Sequence, residues 1–198
     1  MLAATRLHRF VALLIALSLS AVFAACTPIM PETPAVEAPP SAQQPADPCP
    51  APGEGQLLLR NETDGYCLLY PAAYTLDQTN PGVTDIVVDN VMNHWDPRLS
   101  IAVSDAAGQT LEDIAAQLAT DYALPGFEIT PQSITVAGEE AVLLDNLPGQ
   151  DLNRRVAVLH GGTLHRLFIA PLGDEGSEVR QQAEMLYQLA LESFRFLD

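Results

Sequence analysis

The stretch Arg154-Arg-Val-Ala-Val-Leu-His160-Gly161-Gly162-Thr163-Leu-His165-Arg-Leu-Phe-Ile-Ala170 decides how the rest of the chain is read. Two aliphatic, β-branched runs flank a Gly-Gly pair, which accepts the positive φ that a two-residue hairpin turn requires. The spacing predicts strands over 154–160 and 164–170. With that turn, position 160 opposes 163 and 158 opposes 165. His160 and His165 then sit on one sheet face as diagonal neighbours, roughly 7 Å apart. Arg154 and Arg155 open the first strand, and strand alternation must send one to each face. Pairing with nearby acids is the expected role of this doublet, with an anion site as the alternative.

Working outward, the same grammar recurs. Strand-like segments at 127–136 and 140–146 precede the hairpin, separated by turns at Ala137-Gly138 and Pro148-Gly149. Further upstream, 56–60 and 65–70 flank an Asp64-Gly65 turn, and 74–77, 85–89 and 99–104 read as strands. Between these groups the period changes. Thr110-Leu-Glu-Asp113 is a capping-box variant, and Leu111, Ile114, Ala115, Leu118 and Tyr122 follow at helical spacing until Pro125-Gly126. A second helix is predicted over 177–194, with Val179, Ala183, Leu186, Ala190 and Phe194 on one stripe. Short connections favour antiparallel neighbours. The expected fold class is therefore α+β: an antiparallel sheet flanked by helices, in the order strands, helix, strands, helix.

The N-terminus carries an address. Arg6, His8 and Arg9 precede an apolar run of about fifteen residues, the length of a signal-peptide core and short for a spanning helix. The run ends in Phe23-Ala24-Ala25-Cys26, which resembles the lipobox of bacterial lipoproteins, although Phe23 stands where Leu, Val or Ile is usual. The resemblance implies cleavage of residues 1–25 and acylation of Cys26; an ordinary secretory signal or an uncleaved anchor is the alternative. Several acyl chains on one residue would anchor the protein stably to the membrane. Residues 26–54 then read as the lipidated cysteine and an extended tether: nine of the 26 residues from Thr27 to Pro52 are proline. A single globular domain is expected over 55–198.

Charge and cysteines fit an extracytoplasmic setting. The 198-residue chain has nine arginines and no lysine, against 25 acidic residues. Two arginines precede Cys26 and every acid follows it, leaving seven against 25 and a formal charge of −18. Such a surface repels nucleic-acid phosphates, so no nucleic-acid partner is expected. Of three cysteines, lipidation removes Cys26, and Cys49 and Cys67 are left to pair in an oxidising compartment.

Four short motifs together resemble the PsbP-like, Mog1-type superfamily, named for a photosystem oxygen-evolving subunit. They are Gly65-Tyr-Cys-Leu-Leu-Tyr-Pro71, Leu111-Glu-Asp, Ile134-Thr-Val-Ala-Gly-Glu-Glu-Ala141 and Ser193-Phe-Arg-Phe-Leu197, the last closing the final helix. The resemblance spans residues 55–198 and implies an antiparallel sheet sandwiched by helices. It implies no single activity, since members are accessory proteins and binding modules, and no shared catalytic set to carry over.

No nucleophile elbow, phosphate loop, zincin helix or dinucleotide fingerprint occurs in the sequence. His160 and His165 are weak metal candidates, needing a carboxylate to join them; no resident metal or cofactor is expected. His94-Trp95 holds the only tryptophan, in a loop, where it either anchors a partner or tucks beneath the loop to close the core. The leading expectation is a non-enzymatic accessory or protein-binding lipoprotein of the cell envelope. A small-ligand or metal binder is the alternative. A hydrolase assembled from His94, His160 or His165 with a carboxylate and Ser104 ranks last.

Overall fold

In the computed structural model, residues 47–197 are described; the expected signal peptide at 1–25, Cys26 and the expected tether up to residue 46 lie outside the described residues. Ten strands and two helices follow in the order β1 (Gln56–Asn61), β2 (Tyr66–Pro71), β3 (Thr75–Asp77), β4 (Val83–Val87), β5 (Arg98–Asp105), α1 (Leu111–Asp121), β6 (Gln132–Val136), β7 (Glu139–Leu147), β8 (Asn153–His160), β9 (Thr163–Ala170), α2 (Glu178–Ser193) and β10 (Arg195–Phe196). The class is α+β.

The large sheet has the order β3-β4-β5-β9-β8-β7-β6, antiparallel throughout. It is built from two meanders, one before α1 and one after it, which meet at β5 and β9. Their register runs from Arg98 opposite Ala170 to Asp105 opposite Thr163. A second, three-stranded sheet has the order β1-β2-β10.

Alternation along the strands sorts the apolar residues onto two faces. One face carries Leu99, Ile101, Leu143, Val156, Val158, Leu167 and Ile169, which pack with Leu186 and Ala190 of α2 and with Tyr66, Leu68 and Tyr70 of β2. The opposite face carries Val142, Leu144, Ala157 and Leu164, which pack beneath Ile114 and Leu118 of α1. Each buried leucine or isoleucine contributes about 1.5–3 kcal/mol by leaving water, so the first face dominates the stability. Both helices start as their sequences dictate. The hydroxyl of Thr110 accepts from the Asp113 N–H at 3.2 Å, while the Asp113 carboxylate accepts from the Thr110 N–H at 3.0 Å. Ser177 accepts from the Arg180 N–H at 3.1 Å. Gly173 leaves room for that second start: a Cβ there would lie 2.8 Å from the Ser177 hydroxyl.

Four expectations need correction. The fourth strand ends at Val87 rather than 89, because Asp89 takes a φ of 66° and Asn90 opens a long loop. The strand expected over 127–136 forms only from Gln132; Pro125, Gly126 and Pro131 keep 127–131 out of the ladder. The last helix stops at Ser193. Phe194 is extended, at φ −59° and ψ 132°, and Arg195 and Phe196 pair with Cys67 and Tyr66 instead of continuing the helix. Finally, the folded part starts before residue 55. A disulfide joins Cys49 to Cys67, with Cα atoms 5.9 Å apart, and Arg60 donates to both oxygens of Asp47 at 2.8 and 3.0 Å.

One irregularity redirects side chains. Between Leu144 and Leu147 the β7–β8 register shifts, with Asn146 at a φ of 53°. The extra residue returns Leu147 to the face that Leu144 occupies, where it joins the core under α1. It also leaves Asp145 aimed at Arg154 on the other face, at 2.6 Å.

Candidate functional site

The β4–β5 loop, residues 88–97, is the most unusual surface of the domain. Asn93 braces it from within: its amide nitrogen donates to the Val88 carbonyl at 3.1 Å and to the Asp96 carboxylate at 2.9 Å. Its amide oxygen accepts from the Trp95 N–H at 3.0 Å, and Asn90 likewise accepts from the Met92 N–H at 2.9 Å. These side-chain-to-backbone bonds hold a defined loop shape without any strand pairing. Held in this way, Trp95 is 84 % exposed and Met92 75 % exposed. Of the two roles open to Trp95, closing the core beneath its loop is therefore excluded; the ring stands in solvent. An aromatic presented on a braced loop loses little conformational entropy on binding, which is the property of an interface anchor.

Beside the loop runs an apolar groove of about 560 Å³, walled by Val88 and Asp96 of the loop, Tyr74, and Met185 and Leu189 of α2. Burial, with Asp96 adding to it, pushes the Tyr74 hydroxyl above its ordinary pKa. Nothing in the sequence singles out Met185, which is 65 % exposed on the flank of α2. Its place in the groove follows only from how α2 crosses the sheet.

On the opposite side of the same loop, His94 borders a second cavity, described below.

The hairpin histidines do share a face, but their environments do not make a metal site. His165 is 2 % exposed and lies edge-on to Tyr66, Phe194 and Phe196 at centroid distances of 5.9, 6.0 and 5.2 Å. Its Nδ1 has no hydrogen-bond partner among the described residues. Burial, with His160 adding to it, lowers its pKa to about 4, so the ring is neutral at ordinary pH. His160 stacks on Phe196 at 4.0 Å and its Nδ1 lies 2.9 Å from Glu139. No group of three His, Cys, Asp or Glu side chains converges among the described residues. His165 is therefore a core residue, and Phe196 of β10 closes over it and His160.

The hydrolase set is not assembled either. Ser104 accepts from Arg166 at 3.4 Å on the α1 face of the sheet, opposite to His160 and His165. His94 stands beyond the far end of β5.

Against known proteins, no protein-family model matches the sequence, and no curated protein does. Among solved structures, the chain is similar to the solution structure of cyanobacterial PsbP (CyanoP) from Synechocystis sp. PCC 6803. The superposition has a TM-score of 0.51, covering 77 % of this chain and 99 % of that one at 19 % identity. The fold is PsbP-like. Within that PsbP-like frame, the braced Trp95 loop joins β4 to β5.

Proposed function

We propose that the chain is a lipoprotein, tethered outside the cytoplasm by acyl chains on Cys26, whose PsbP-like domain is a non-enzymatic protein-binding module of the cell envelope. The observation that carries this reading is Trp95, 84 % exposed on a loop whose shape is fixed by Asn93. The neighbouring groove offers an apolar seat of about 560 Å³, and aromatic side chains with Met are what interface cores concentrate. The Cys49–Cys67 disulfide supports an oxidising compartment. The partner contacts this loop through an apolar patch, and the acidity of the chain favours one that is not itself strongly acidic.

Cross-linking the native protein in intact cells, with mass identification of what is attached, tests the reading. A recurrent envelope protein recovered with the wild type and lost with Trp95→Ala is the expected result. Recovery that is indifferent to Trp95→Ala, or no recurrent partner at all, overturns it. The tether is tested separately: Cys26→Ser is expected to move the protein out of the membrane fraction.

A further inference from the structure

Arg155 projects from β8 onto the α1 face of the sheet, directly opposite Phe168 of β9. Its guanidinium lies 4.0 Å from the Phe168 ring and 5.4 Å from the Tyr122 ring at the end of α1. Arg98, on β5, approaches the same Phe168 ring at 5.9 Å. Stacking uses the faces of a guanidinium and leaves its in-plane N–H groups free to donate. Among the described residues Arg155 donates only from Nε, to Asn153 at 3.3 Å, which leaves both of its terminal nitrogens available.

Neither Arg98 nor Arg155 forms an ion pair among the described residues, in a chain where acids outnumber bases almost three to one. Asp85, on the same face, is held by a hydrogen bond from Ser100, and Asp151 lines the cavity without pairing with either arginine. Two arginines gathered on one aromatic ring with no carboxylate in ion-pair contact are electrostatically incomplete. They line a cavity of about 280 Å³ together with His94, Gln150, Tyr122 and Pro171.

We propose that this cavity binds a small monocarboxylate with a flat or apolar body, its carboxylate held by Arg98 and Arg155. The planar forks of arginine match a carboxylate in two-point fashion, and Tyr122, Phe168 and Pro171 supply a wall for the body of the ligand. The single charge is set by Asp151 and by the overall acidity of the chain, both of which disfavour a dianion such as phosphate. The site is separate from the Trp95 surface and does not rest on the protein-binding reading.

Calorimetric titration of the full-length protein in detergent with benzoate, acetate and inorganic phosphate tests this. Saturable benzoate binding, tighter than acetate and tighter than phosphate, is expected. Arg98→Gln is expected to weaken benzoate about tenfold with an unchanged thermal midpoint, as the loss of one charged two-point contact implies. Arg155→Lys keeps the charge but loses the fork and is expected to weaken binding as well, while Asp151→Asn strengthens it. Trp95→Ala is expected to leave benzoate binding unchanged, so this site and the partner surface fail independently. No saturable benzoate binding at millimolar concentration, binding that survives both arginine substitutions, or phosphate binding as tightly as benzoate would each overturn the proposal.

Discussion

Arg154 and Arg155 are neighbours in sequence, each stacked on an aromatic ring, and opposites in the charges they meet. Arg154 enters the thick face of the sheet, is 4 % exposed, and is clamped by Asp145 at 2.6 Å and Glu184 at 2.7 Å, with Tyr187 beneath it at 4.2 Å. Burial alone would weaken its hold on its proton, but the two carboxylates outweigh that and raise its pKa. Arg155, one residue on, stacks on aromatic rings and pairs with no carboxylate among the described residues; burial, with Arg166 adding to it, lowers its pKa. One charge is fully answered by the fold and the other is not. A buried ion network ties β7, β8 and α2 together, whereas an unanswered charge is stability given up, and it marks a place where a ligand completes the arrangement.

The most severe way to test the comparison is to remove each arginine in turn. Arg154→Ala leaves Asp145 and Glu184 with Arg180 alone, at 3.8 and 3.0 Å, and because both carboxylates keep that partner and some solvent a loss of about 2–3 kcal/mol in urea unfolding is expected. Arg155→Ala strands no carboxylate and is expected to cost about 1 kcal/mol. Equal losses would mean that the two faces are not energetically distinct.

A comparable effect separates the faces by pH. The folded pKa of His165, about 4, lies below the ordinary value of 6.5, so the unfolded chain takes up this proton first. The contribution is fully present above pH 6.5 and is lost as the pH falls toward 4, amounting to about 3 kcal/mol. His165→Phe keeps an aromatic in the Tyr66–Phe194–Phe196 cluster, and its unfolding free energy is expected to fall less steeply than the wild type's across that window. Parallel profiles would show that His165 does not titrate on unfolding.

The thinner face offers a milder perturbation. Thr110→Ala removes the cap of α1, which covers that side, and about 1 kcal/mol of stability should be lost. Trp95→Ala is expected to change stability by no more than about 0.5 kcal/mol, because an exposed ring contributes little to folding. A large loss there would mean that Trp95 is structural after all.

The parts of this molecule legible in sequence are those governed by local rules. Gly161-Gly162 placed the hairpin, Thr110 and Asp113 placed a helix start, and alternation sent Arg154 and Arg155 to opposite faces. What alternation cannot reveal is what lies above each face. That Arg154 would meet two carboxylates and Arg155 none depends on α2 crossing one side of the sheet while α1 stops short on the other. The Asn146 bulge is equally silent in sequence, since it depends on the register between β7 and β8. Phe194 was read as the end of the last helix from its apolar period. Its extension comes from pairing with β2, more than a hundred residues away, where tertiary contact overrides local preference. The loop at 88–97 was recognisable, but the outward pose of Trp95 rests on Asn93 side-chain bonds that no pattern announces.

The Cys49–Cys67 bond also has a mechanical meaning. Cys67 lies on β2, the middle strand of the small sheet, while β1 is its edge. A pull arriving from the N-terminal side of Cys49 is carried through sulfur directly into that middle strand, past the intervening residues. Without the bond the same pull would run along the chain into β1 and peel that edge strand away one hydrogen bond at a time. With it, the load bypasses the edge strand and enters one that is paired on both sides.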